Sequence, residues 1–246
     1  MHHFFISLHQ KHLGKTLSIS KTQYSELYHQ ISKVLKLHAG EQVGLLNNSP
    51  EKFIYEINQI NDDKKEIYLR LVKTETEKNS APPVHLFIGI PKKDKLELIV
   101  EKCSELGIDE ITPIITQRTI KNQTKTERLL KISGEAIEQS HGFMMPKVNE
   151  ATDLKNINLD LNGLNLIFHT QENTEPDNLK NLLKDLDGNV GLNIFIGPEG
   201  GFSPDDLKIL QKLNNPHFIK LGERILKTET AAIVITALAK YYSQIN

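Results

Sequence analysis

Two stretches near the C-terminus constrain this chain more than any other feature. Each is a short apolar strand that enters a polar loop and then a helix. The first runs Phe195-Ile196-Gly197-Pro198-Glu199-Gly200-Gly201-Phe202-Ser203-Pro204-Asp205-Asp206. The second runs Leu221-Gly222-Glu223-Arg224-Ile225-Leu226-Lys227-Thr228-Glu229-Thr230-Ala231-Ala232. In the first, 193–196 reads as a buried strand, and Gly197, Gly200 and Gly201 let the backbone turn and approach a ligand closely. Ser203 suits an N-cap, Pro204 the first helical position, and Asp205 and Asp206 the positive end of the new helix. In the second, 217–221 is the strand and Thr228 the expected cap. The helix beyond is expected to bury Ile233, Val234, Ala237, Leu238 and Tyr241 as one face.

Strand-to-helix loops of this kind lie at the carboxyl ends of strands, where open α/β sheets bind their ligands. Neither the dinucleotide pattern G-x-G-x-x-G nor the phosphate-loop pattern ending G-K-[ST] is present, so neither nucleotide reading has its fingerprint.

The wording of the two stretches resembles the ribosomal RNA small-subunit methyltransferase E family, of the SPOUT class. The phrases Ser104-Glu105-Leu106-Gly107-Ile108 and Glu135-Ala136 with Glu138-Gln139-Ser140 resemble it as well. The resemblance implies an α/β fold: a trefoil-knotted α/β domain over 84–246 after a small PUA-like β-barrel, an RNA-binding domain, over 1–73. It implies a homodimeric, cytoplasmic enzyme that moves a methyl group from S-adenosylmethionine to N3 of a uridine in 16S ribosomal RNA of the small ribosomal subunit. Three loops, 169–173, 197–202 and 222–228, would then converge on the cofactor. The residues so implied are His169, Thr170 and Gln171 from the first loop. Ile196, Gly197, Pro198, Glu199, Gly200 and Gly201 come from the second. Leu221, Gly222, Arg224, Ile225, Leu226, Thr228 and Ala231 come from the third. Two other readings stay open: a knotted RNA-binding protein without catalysis, and a relative acting on transfer RNA or on the ribose 2′-hydroxyl.

Methyl transfer from a sulfonium is an in-line displacement, so the protein mainly positions donor and acceptor. Uridine N3 must lose a proton, and the resulting charge spreads to the ring oxygens. Arg224 is the natural cation for that charge, and Glu199 and Glu229 are the nearest candidates to accept the proton. A glutamate at a helix start also serves as a simple N-terminal charge, and that reading stands beside the catalytic one.

The remaining chain fits this frame. Strands are expected at 42–46, 52–60 and 66–72, joined by turn residues such as Asn47-Asn48-Ser49-Pro50, after a first strand begun by His2-His3-Phe4-Phe5-Ile6 and a helix over 21–37. The paired histidines lack companions at metal-ligand spacing and are expected to face outward, toward solvent or RNA. Residues 74–83, polar and ending in a proline pair, read as a linker. Strand–helix alternation follows, the mark of a mainly parallel sheet. Strands are read at 84–90, 110–115 and 164–168. Asp94 with Glu97 resembles a capping box, opening a helix that buries Leu96, Ile99, Val100, Cys103 and Leu106 and stops at Gly107. A helix over 126–140 is expected to turn Leu129, Leu130, Ser133, Ala136 and Ile137 inward, and a further one is read at 177–186. Gly142 and Met144 stand where many family members carry arginine, and His3 and Lys36 likewise.

The net charge of −1 argues neither for nor against a nucleic-acid partner. Its distribution says more: residues 1–73 hold ten Lys or Arg against seven Asp or Glu, and the excess of acid lies in the rest. A mildly basic first module fits RNA docking. The single cysteine, Cys103, excludes an intramolecular disulfide and reads as a core residue. No apolar run reaches membrane-span length, and neither a metal nor a membrane is expected.

Overall fold

The computed structural model describes residues 1–6, 13–77, 81–92, 94–120, 124–158, 161–169, 179–184 and 190–245. The chain divides into two units, one of residues 1–78 with 137–145, the other of 79–136 with 146–246.

The first unit is built on β1 (His2–Phe5), β2 (Thr16–Ser20), α1 (Ser25–His29), β3 (Gln42–Leu46), β4 (Glu51–Asn61) and β5 (Glu66–Thr76). These strands form one sheet in the order β1-β3-β4-β5-β2, with β1 parallel to β3 and the rest antiparallel. Among the described residues β1 and β2 are its edges and do not pair, so no hydrogen-bonded ladder closes the expected barrel. Phe4, Ile19, Tyr28, Ile31, Val43, Leu45, Tyr55 and Ile67 fill its core. The β4–β5 ladder carries two register shifts, at Ile54/Tyr55 and Ile57/Gln59. Such bulges bend long strands around a core.

Several expectations need correction here. The helix read at 21–37 is α1 followed by a π-helical turn over Gln30–Val34. The wider turn rotates later residues off the apolar face, which leaves Ile31 buried and Val34 57% exposed. Strand β2, five residues of short alternation, was not anticipated. Strand β5 runs to Thr76 and takes in residues read as linker. His2 faces outward but His3 is buried, its ring lying where a Cβ on the paired Gly44 would stand 2.1 Å from His3 Cδ2. Within this unit Lys52 Nζ donates to the His141 carbonyl at 2.7 Å and lies 4.1 Å from the Phe143 ring centre.

The second unit holds β6 (Val84–Gly89), α2 (Lys95–Glu105), β7 (Glu110–Ile115), α3 (Thr126–Ser140, whose last four residues group with the first unit), β8 (Lys147–Val148), β9 (Thr152–Asp153) and β10 (Leu164–Phe168). It continues through α4 (Leu179–Lys184), β11 (Leu192–Ile196), α5 (Pro204–Leu210), β12 (Pro216–Ile219) and α6 (Thr228–Ile245). The sheet order is β12-β10-β11-β6-β7-β8, with β9 also on β7, and every pairing is parallel. Alternation along the strands feeds two cores, one on each face. Leu86, Ile88, Leu166, Ile194 and Ile196 pack with α2 and α6. Phe87, Ile167 and Phe195 pack with Phe202, Leu207 and Leu210 on the other face, where the Phe87 and Phe195 rings stack at 4.5 Å.

Helix α2 stops at Gly107, whose φ of +80° suits glycine, but Asp94 makes no side-chain cap. Glu97 is taken instead by Arg128, which grips it with two N–H donors at 2.5 and 2.7 Å. Leu130 lies 38% exposed rather than inward. Cys103 is buried, and burial pushes its thiol up to about 11, as befits a core residue. The last helix turns the opposite way from expectation. Ala231, Ala232, Ile235 and Ala239 are buried, while Ile233, Val234, Ala237 and Leu238 are half-buried and Tyr241 is 61% exposed.

Candidate functional site

Strands β12, β10 and β11 are neighbours and parallel, so their carboxyl ends bring three loops to one place. Residues 216–219 align with 165–168, and 192–196 with 164–168. His169, the 197–201 loop and the 220–228 loop therefore emerge side by side. Together with Arg118 they enclose a cavity of about 660 Å3. That volume lies within the usual range of roughly 300–1,000 Å3 for small-molecule sites.

Local chemistry holds the 197–201 loop in shape. At its far end Ser203 Oγ accepts from the Asp206 N–H at 3.1 Å, and Asp206 Oδ2 accepts from the Ser203 N–H at 2.8 Å. This is a complete capping box, with Pro204 in the first turn. Asp206 also accepts from the Gln117 N–H at 3.2 Å. The three glycines serve different ends. A Cβ on Gly197 would stand 2.9 Å from the Gly201 carbonyl carbon, so that position must be bare for the loop to close. Gly200 lies under the Arg118 side chain, and Gly201 has a φ of +67°. Gly89 at the end of β6 leaves room for the loop, since a Cβ there would be 2.4 Å from Pro198 N.

Charges fasten the loop from outside. Glu199 accepts from the Lys92 N–H at 2.9 Å and from Lys95 Nζ at 3.3 Å, and Lys95 also lies 3.4 Å from Glu229 Oε1. Burial works to raise the Glu199 carboxyl, but the backbone N–H groups and the Lys95 ammonium outweigh it and hold it below its ordinary value. Arg118 Nη1 donates to the Gly200 carbonyl at 2.5 Å. The Thr228 hydroxyl donates across to the Gly197 carbonyl at 3.2 Å, tying the third loop to the second.

A family model described as an RNA methyltransferase domain matches residues 77–240. The chain is 32% identical over 212 residues to the ribosomal RNA small subunit methyltransferase E of Rickettsia conorii, covering 86% of this chain and 84% of that one. It is 27% identical over 257 residues to the protein of that name from Bacillus subtilis, covering 100% and 98%. The chain belongs to the ribosomal RNA small subunit methyltransferase E family. Solved structures share the fold. The methyltransferase E of Neisseria gonorrhoeae, bound to S-adenosylmethionine, superposes with a TM-score of 0.81 at 21% identity over 98% of this chain and 97% of that one. A Legionella pneumophila methyltransferase, also with bound S-adenosylmethionine, gives 0.79 at 24% over 97% and 96%.

In this member of the methyltransferase E family, the residues expected from the second and third loops all line the cavity. His169 lines it too, with Nε2 buried and without a partner among the described residues, and burial followed by the nearby Arg118 charge lowers its pKa. Thr170 and Gln171 lie outside the described residues. Of the three candidates for chemistry, Arg224 and Glu199 line the cavity. Glu229 does not; it turns Oε1 to Lys95, and among the described residues its buried Oε2 has no partner. Sequence reasoning passed over Arg118 and Lys95. Arg118 follows β7, and a cation just past the carboxyl end of a parallel strand was an available signal. Lys95 had none, because it looked like one more exposed residue of a helical turn.

Proposed function

We propose that this chain methylates N3 of a uridine in 16S ribosomal RNA of the small subunit, using S-adenosylmethionine. The observation that supports it most is the convergence of the 197–201 and 220–228 loops on one cavity in a chain of this family. The cavity fits the cofactor. Gly201 and Gly222 both have positive φ, and nothing lies within 4 Å of the place a Cβ would occupy. The backbone there is bare toward a ligand, and on the same wall His169 Nε2 has no partner among the described residues. Ile196, Leu221, Ile225 and Leu226 offer apolar walls to an adenine ring, and Gly197 to Gly201 offer backbone hydrogen bonds. When bound, the cofactor supplies an electrophilic methyl group.

The protein's own part is to position the uridine and manage its charge. Arg224 holds a guanidinium in the cavity to stabilise the uracil oxygens as N3 gives up its proton. Glu199, held ionised by its N–H donors and Lys95, is a poor proton acceptor and serves to brace the loop. Glu229 shares Lys95 and does not line the cavity, so it too is read as a structural charge at the start of α6.

The finer architecture belongs to the same reading. The five-stranded first unit, its ladder open between β1 and β2, is read as a PUA-like module that docks RNA, and residues 84–246 as a knotted SPOUT domain. The crossing from the edge strand β12 back to α6, which packs beside α2, β6 and β11 at the middle of the sheet, is consistent with a knot. The half-exposed apolar face of α6 supports a homodimer. Among the described residues no helix is long and apolar enough to cross a membrane. A cytoplasmic enzyme is proposed from the family reading alone. The test is to incubate the protein and labelled S-adenosylmethionine with unmodified small subunits, then map the modified base. One 3-methyluridine in 16S RNA is expected. Label on transfer RNA, on a ribose, or nowhere overturns the proposal.

A further inference from the structure

A second cavity, of about 270 Å3, adjoins the first. The two share Arg118, Pro198, Glu199 and Gly200 as walls. The smaller one is completed by Ile90, Pro91, Lys92 and Ile120. Among the described residues the two most exposed large apolar side chains are Ile225 at 83% and Ile120 at 73%, and each stands on the wall of one cavity. Each isoleucine thus offers apolar surface at the edge of a concave site.

We infer that the smaller cavity receives the pyrimidine base that is to be methylated, with Ile120 against its face and Arg118 at its edge. This rests on the methyltransferase reading above. Size and chemistry select the ligand. Apolar Ile90, Pro91, Pro198 and Ile120 suit the faces of one ring. Arg118 spends one N–H on the Gly200 carbonyl and, among the described residues, has no other hydrogen-bond partner, so its remaining donors suit ring carbonyl oxygens. A phosphate is disfavoured because the Glu199 carboxylate shares the wall. Arg118 is thus bound to the loop of the first cavity while facing the second, and it fixes one relative to the other. A misplacement of about 1 Å between reacting groups can cost on the order of a hundredfold in rate, so such a link is worth having.

The test uses the full chain with Ile120→Ala and Ile120→Leu. Ile120 is exposed and lies outside the first cavity, so both variants should bind S-adenosylmethionine by calorimetry within about twofold of the parent. Single-turnover methylation of small subunits at saturating cofactor should fall on the order of tenfold for Ile120→Ala, as losing the apolar contact of an isoleucine does, and be largely kept by Ile120→Leu. A parent-like rate for Ile120→Ala, with the parent active, overturns the base site alone. Loss of cofactor affinity overturns it as well, by giving the cavity to the cofactor. An inactive parent overturns the underlying reading and this inference with it.

Discussion

Arg224 and His3 show how differently two basic side chains are used. Arg224 is exposed within the cavity and has no hydrogen-bond partner among the described residues. Removing a preorganised donor from an active site typically costs about 3–4 kcal/mol, or on the order of a hundredfold to a thousandfold in rate. Arg224→Ala should show that loss in single-turnover methylation at saturating cofactor and RNA. Arg224→Lys should recover little, because an ammonium cannot reproduce two parallel donors. A parent-like rate in the Ala variant removes Arg224 from the chemistry, whereas weakened RNA binding alone makes it a phosphate clamp. His3 is buried, with neither ring nitrogen partnered among the described residues. Burial first, then the charges of Lys52, His141 and the N-terminus, lower its pKa from 6.5 to about 4. Between those values the unfolded ring binds a proton that the folded ring refuses, so stability rises with pH across the window. The contribution is whole above 6.5 and is lost as pH falls toward 4. Denaturant midpoints measured from pH 4 to 7 should rise, and rise less steeply in His3→Leu. An unchanged slope in that variant would show that other groups, such as half-buried His85, carry the effect.

The 197–203 segment is the element on which the site depends. Its shape is set by bare glycines at one end and the capping box at the other. Gly200→Val should push the Arg118 side chain from its contact, since even a Cβ would come within 3.3 Å of Arg118 Cδ. Calorimetry is expected to show S-adenosylmethionine binding abolished while circular dichroism stays native. Parent affinity in a folded Gly200→Val protein would dissociate the loop from the cofactor. Ser203→Ala removes the cap, a loss of about 1 kcal/mol, so thermal unfolding should shift down by roughly 2–4 °C for a chain of this size. A shift below one degree would mean that the Asp206 bonds to the backbone hold the loop unaided.

For the whole molecule, the face of α6 that stays half-exposed decides the expected assembly. Ile233, Val234, Ala237 and Tyr241 form an apolar strip at helical spacing that the chain's own core leaves uncovered. Light scattering of the full chain should give twice the monomer mass, and Val234→Glu with Tyr241→Glu should give a monomer. A stable parent monomer at micromolar concentration would refute the dimer. The division of the chain also changes how RNA docking is to be tested. Residues 137–145 group with the first unit, where Glu138 accepts from the Phe5 N–H and Asn48 from the Met145 N–H. Deleting residues 1–73 would strip those partners away and confound docking with folding. Charge reversal of exposed lysines in that unit, read by the salt dependence of RNA affinity, avoids this. Each lost duplex contact should flatten the slope by roughly 0.9 log unit, and an unchanged slope argues against docking there.

What the sequence determined by itself was whatever a few neighbouring residues decide. The Ser203-Pro204-Asp206 start of α5, the stop at Gly107 and the buried strands read at 164–168 and 193–196 all follow from contacts within a turn or from apolar runs. The two loops were legible for the same reason, as was the chain of strand and helix that makes the sheet parallel. Tertiary structure alone decided the rest. Helix α6 is apolar nearly all round, so its periodicity fits two faces. The small side chains of Ala231, Ala232 and Ala239 settle the choice by lying closest to the core. Glu97 lost its expected cap because Arg128, 31 residues on, offered two donors at once. Lys95 reaches Glu199 and Glu229 across more than a hundred residues, and Arg118 reaches Gly200 across 82. Those partnerships arise only when parallel strands carry distant loops to the same edge of a sheet, and local spacing holds no trace of which edge that will be.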